Sequence, residues 1–81
     1  MAVPPELPRL SAEQQRALKM LAGAGQKGAA EARLLTHGFW REMLAELVLA
    51  RLATVVTETI GPAIKVERYR ITDDGRRALE G

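Results

Sequence analysis

Hydrophobic residues recur at helical spacing from the tenth residue on. Leu10, Ala17, Leu18, Leu21 and Ala22 share one face, and Glu13, Gln15, Arg16 and Lys19 fall largely off it. Ser11, with Gln14 three residues on, forms a capping box at the start. Gly23-Ala24-Gly25 supplies the stop. Gln26-Lys27-Gly28 is a short connection with room for a one- or two-residue bridge to a later strand. A second helix is expected from about Ala30 to Thr36, burying Leu34 and Leu35. It starts without a good cap, because Ala29 and Ala30 carry no side-chain acceptor. His37-Gly38 breaks the chain again. A third helix follows from about Trp40 to Ala50, with Phe39 placed to staple onto Leu44. Its inward stripe is Met43, Leu44, Leu47 and Val48; Arg41, Glu42, Ala45, Glu46 and Leu49 face elsewhere.

After Arg51 the period changes. The β-branched run from Ala53 to Ile60 predicts a strand, Gly61-Pro62-Ala63 a turn, and the alternating run from Ile64 to Ile71 the returning strand. Thr72 caps a last short helix, whose first residues, Asp73 and Asp74, complement its positive end. Residues 1–9 hold Pro4, Pro5 and Pro8 and are expected to form a flexible proline-rich arm ahead of a single domain spanning 10–81. The expected fold class is α+β: three helices, a two- to three-stranded hairpin sheet and a short C-terminal helix.

A turn centred on Pro62 sets Val55 opposite Tyr69 and Ala53 opposite Ile71, closing over the helices. Val56, Ile60, Ile64 and Val66 then lie on the other face, with Glu58 and Arg68 among them. An exposed aliphatic stripe of that kind marks an interface. Those four residues, with Leu49, are the candidates for a contact with a second copy or another protein. A one-residue slip in register would instead turn the stripe inward.

Composition narrows the chemistry. The 81 residues are 47% hydrophobic and 27% charged, which suits one small globular domain. Twelve Lys and Arg against ten Asp and Glu leave +2, a balance that permits a nucleic-acid partner without demanding one. There is no cysteine and one histidine, His37, which excludes thiolate zinc sites, disulfides, cysteine nucleophiles and histidine metal clusters. No membrane span, metal or cofactor is implied, and the start carries no secretory signal, so a cytoplasmic protein is expected. Gly23-Ala24-Gly25-Gln26-Lys27-Gly28 matches G-x-G-x-x-G in letters only, because a helix precedes it where the dinucleotide fingerprint needs a strand. No nucleophile has a plausible partner and the adjacent aspartates have a helix-dipole role, so an enzyme is not expected.

Three segments carry a resemblance. The first is Glu31-Ala32-Arg33-Leu34-Leu35-Thr36-His37-Gly38-Phe39, and the second is Met43 to Val48 followed by Leu52-Ala53-Thr54-Val55. The third, Tyr69-Arg70-Ile71-Thr72-Asp73-Asp74-Gly75-Arg76-Arg77-Ala78-Leu79, fits an apolar-Thr-x-x-Gly-Arg-x-x-Leu ending. From Leu10 to Leu79 the chain resembles a small winged helix-turn-helix domain of the broad MarR/PadR type, with the hairpin as its wing. The resemblance implies a DNA-binding, transcription-regulatory protein. Winged helices also serve as protein-interaction modules, and that is the alternative. In the DNA-binding case helix 3 enters the major groove and the wing touches phosphates. The candidate contacts are Arg41, Lys65, Arg68 and Lys27, with Trp40 at the start of helix 3. Glu42 and Glu46 beside Arg41 make a poor electrostatic footprint for that helix.

Overall fold

The computed structural model describes residues 10–80. The expected proline-rich arm, 1–9, lies outside them. The described chain is an α+β fold of four helices and a three-stranded antiparallel sheet. In order, the elements are α1 (Ala12–Ala24), β1 (Ala29–Ala30), α2 (Glu31–Thr36), α3 (Arg41–Leu49), β2 (Ala53–Ile60), β3 (Ile64–Ile71) and α4 (Asp73–Glu80). Among the described residues no helix is long and apolar enough to cross a membrane.

Local chemistry accounts for the boundaries. Ser11 Oγ accepts from the Gln14 amide at 3.0 Å, and the Gln14 side chain accepts from the Ser11 amide at 2.9 Å. This closes the capping box. Gly25 ends α1 with φ 65°, and a single 3₁₀ turn, Gly25–Lys27, leads into β1. Neither α2 nor α3 has a side-chain cap, as Ala30 and Trp40 dictate. A ring nitrogen of His37 bonds the Arg33 carbonyl at 2.9 Å, so this histidine closes the end of α2. Helix α3 ends in a Schellman turn: the amides of Arg51 and Leu52 donate to the carbonyls of Val48 and Leu47, both at 2.9 Å. Arg51 takes the left-handed conformation there, with φ 63°.

The Thr-x-x-Gly segment has a physical role as the latch between α4 and the end of α3. The Thr72 amide donates to the Leu52 carbonyl at 3.0 Å, and its hydroxyl donates to the Arg51 carbonyl at 2.7 Å. The same hydroxyl oxygen accepts from the Gly75 amide at 3.0 Å, capping α4. Gly75 is buried hard against the Leu52 carbonyl.

Five leucines, Leu18, Leu21, Leu34, Leu44 and Leu47, are fully buried. Each contributes about 1.5–3 kcal/mol of apolar burial. Ala17, Ala29, Met43, Ala53 and Tyr69 complete the core, and Phe39 packs against it from the staple position. The core thus joins α1, α2, α3 and the root of the sheet. Beyond Ala53 every residue of β2 is exposed, and β3 buries only Tyr69.

The sheet order is β1-β3-β2. Ala29 pairs with Tyr69 and Ala30 with Arg68. In the hairpin, Ala53 pairs with Ile71, Val55 with Tyr69, Val56 with Arg68, Glu58 with Val66 and Ile60 with Ile64. This is the register that places the turn at Pro62, with no slip. One expectation needs correction: Val55 stands on the inner face but remains 40% exposed. On the inner face the helical body fully buries nothing beyond Tyr69.

Candidate nucleic-acid interface

Strand alternation divides the hairpin into two faces. The inner face, continuous with the core, carries Val55, Thr57 and Thr59 opposite Tyr69, Glu67 and Lys65. The outer face carries Thr54, Val56, Glu58 and Ile60 opposite Arg70, Arg68, Val66 and Ile64.

A cleft separates the inner face from the starts of α2 and α3; Glu31, Leu35, Arg41, Thr57, Lys65 and Glu67 line it. Glu31 is its hub. This first residue of α2 follows β1 directly, and β1 pairs with β3, so its carboxyl sits beside Tyr69. Glu31 Oε2 accepts from the Tyr69 hydroxyl at 3.1 Å, and Oε1 accepts from Arg41 Nε at 3.0 Å. The Glu31 side chain is 14% exposed and that of Arg41 is 70% exposed.

The Glu67 carboxyl neighbours that of Glu31; a hydrogen bond between them needs one of the two protonated, so the groups titrate as a pair. Burial pulls Glu31 upward, but its bonds with Glu67, Arg41 and Tyr69 outweigh this and hold it below the ordinary carboxylate value. Glu67 is raised, first by its hydrogen bond to Glu31 and then by repulsion from it. The cleft therefore sets two cations, Arg41 and Lys65, against two carboxylates, one of which takes up a proton early as pH falls.

Tyr69 is pushed up to about 12 by burial, by donating to Glu31 and by the charges of Glu31 and Glu67. It is the only tyrosine, so the ultraviolet absorbance of its phenolate reads one group. Titrated with base, it is expected to ionise near 12 rather than the ordinary 10.0, so the folded state loses stability as pH rises across that interval. A midpoint near the ordinary value would show that the Glu31 contact is not formed.

On the outer side, Lys27, Arg68 and Arg70 line a shallow groove with Gln26, Val56 and Glu58. Arg68 is ion-paired there with Glu58, its partner one step along the ladder. The five candidate contacts are therefore not one surface. Arg41 and Lys65 share the inner cleft; Lys27 and Arg68 share the outer groove, where Arg70 joins them. Trp40, beside Arg41 in the chain, is 66% exposed.

Two cations expected to face a partner freely, Arg41 and Arg68, are each held by a carboxylate. The outward positions of α3, from Arg41 and Glu42 to Ala45, Glu46 and Leu49, are all exposed, with Leu49 at 83%. Of the apolar candidates, Val56, Ile60 and Ile64 are exposed and Val66 is half-buried. Leu49 belongs to a different element, the last turn of α3. Among the described residues, no group of three or more His, Cys, Asp or Glu is placed to hold a metal ion.

Sequence reasoning missed Glu31, whose role depends on a two-residue strand pairing with a segment 38 residues away. No family model, curated protein or solved structure matches this chain.

Proposed function

We propose that the chain is a small winged-helix protein that binds duplex DNA in a regulatory role, with α2 and α3 as the helix pair and the β2–β3 hairpin as the wing. The observation that carries this reading is the arrangement itself. A tight helix pair follows a two-residue strand, the sheet order is β1-β3-β2, and the cleft between α3 and the hairpin has a cation on each wall, Arg41 and Lys65. Contact is mainly to phosphates. Glu42 and Glu46 on α3 disfavour close approach to the backbone, and Arg41 shares its charge with Glu31. Binding is weak, tolerant of sequence and sensitive to salt. Two to four neutralised phosphates give a logarithmic salt slope of about −2 to −4.

Fluorescence anisotropy with a labelled random duplex tests this. Lys65→Glu is expected to weaken binding severalfold, and Glu67→Gln to strengthen it by a similar factor, because it removes a carboxylate from the cleft. The pH dependence has the same sign. Glu67 lies above the ordinary glutamate value of 4.5, so it is neutralised first as pH falls and affinity rises. In Glu67→Gln this part of the rise is lost. No binding at low salt would sink the reading.

A second reading, a winged helix that binds protein, is favoured by one observation: the free face of α3 ends in Leu49, 83% exposed, beyond two carboxylates. The variant Glu42→Gln/Glu46→Gln separates the two. It strengthens DNA binding if α3 approaches the duplex and leaves it unchanged if α3 serves another partner.

A further inference from the structure

We propose that two copies of this chain associate through the outer faces of their hairpins. A sheet face turned to solvent is normally the polar one. Toward the turn the polarity is reversed: the inner face there carries Thr57, Thr59, Lys65 and Glu67, while the outer carries Ile60, Ile64 and Val66, with Val56 next to them and Glu58 and Arg68 between. Ile60 and Ile64 are directly paired and are 49% and 60% exposed; Val56 is 51% exposed. These three stand exposed among the described residues, while Val66 is half-buried at the edge of the inner cleft. An aliphatic cluster on a hairpin that is only marginally stable by itself is a surface waiting for cover.

Charge selects the occupant. The aliphatic rows enclose one carboxylate and one guanidinium, Glu58 and Arg68, one ladder step apart and paired with each other. A duplex laid on these rows meets four aliphatic side chains and a carboxylate–guanidinium pair whose charges cancel. A strongly charged peptide of either sign meets one like charge. An inverted second copy meets neither problem: its aliphatic rows cover these, while each Glu58 comes within reach of Arg68 of the other copy. Among the described residues the outer edge of β2 is also unpaired, but edge-to-edge pairing would leave the aliphatic rows in water, so the face is the contact. Four aliphatic residues a side form a small interface, which predicts a weak dimer that dissociates on dilution. Lys27 and Arg70 lie at the root of this face, outside the aliphatic rows. The proposal does not rest on DNA binding.

Sedimentation equilibrium of the full chain over a wide concentration range tests it. The chain is expected to move from monomer to dimer with concentration. Val56→Glu and Ile60→Glu are expected to remain monomeric with an unchanged circular dichroism spectrum. Thr59→Lys, on the same strand but the inner face, is expected to dimerise like the parent chain. Glu58→Arg and Arg68→Glu are each expected to be monomeric alone and to form a heterodimer when mixed, since only an intermolecular charge pair is restored by mixing. A parent chain that stays monomeric at its highest attainable concentration overturns the proposal. So does loss of the dimer in Thr59→Lys, its persistence in Val56→Glu, or failure of the two charge variants to recover on mixing.

Discussion

Gly75→Ala is expected to destabilise the fold by about 2–3 kcal/mol and to lower the melting temperature by about 10–20 °C. Helix propensity predicts the opposite, since alanine is favoured over glycine in a helix by about 1 kcal/mol. The packing decides the sign. A Cβ at position 75 would lie 2.2 Å from the Leu52 carbonyl oxygen and 2.7 Å from Ile71 Cγ1. The carbonyl cannot move aside, because it also accepts the Thr72 amide. α4 must lift away, loosening the Thr72 bonds to Arg51 and Leu52. Gly23→Ala is the internal control: it lies in α1 with nothing within 4 Å of a new Cβ and is expected to gain up to about 1 kcal/mol. Thermal and denaturant unfolding of the two variants should move in opposite directions. If both stabilise, the latch between α4 and Leu52 is wrong.

Gly28→Ala is expected to cost a similar amount, about 3 kcal/mol, from two sources that add. The backbone there has φ +69°, where a side chain costs about 1 kcal/mol. A Cβ would also stand 2.3 Å from the Tyr69 carbonyl oxygen, and overpacking against backbone costs about 1–3 kcal/mol. The damage falls at the join between body and hairpin, because the next residue, Ala29, pairs with Tyr69. Pushing β1 off β3 also moves Glu31, which begins α2 immediately afterwards. The variant should therefore show two coupled changes: a lower denaturation midpoint, and a Tyr69 ionisation that falls back from about 12 toward 10.0. Lost stability with an unshifted tyrosine would separate the β1–β3 contact from the Glu31 site.

These two glycines show where sequence patterns stop. Ser11 with Gln14, and Thr72 ahead of two aspartates, cap their helices as their chemistry requires, since capping involves residues within one turn. The hairpin register was legible for the same reason: one short turn and strict alternation leave few choices, and the placement of Val56, Ile60, Ile64 and Val66 on one face follows from it. Alternation sorts the faces but cannot say how far the body extends beneath them, which is why Val55 is more exposed than its position suggests. The Glu31 hub depends on Ala30 meeting Arg68, a contact between distant segments with no periodic signature. Once that contact forms, the pairing of Arg41 with Glu31 and the coupling of the Glu31 and Glu67 titrations follow. The charges on Arg41 and Arg68 were visible as residues, but the carboxylates that hold them belong to the tertiary structure.

The cleft between α3 and the hairpin is the centre of this account, and amide chemical-shift mapping tests it most directly. A uniformly labelled sample titrated with a short random duplex at low salt should show progressive shifts at Lys65, at Glu67 and at the start of α3 from Trp40 to Glu42. Added salt should reverse them. Shifts confined to elements outside the cleft, or no shifts at all at low salt, would contradict the proposal that this chain meets DNA there.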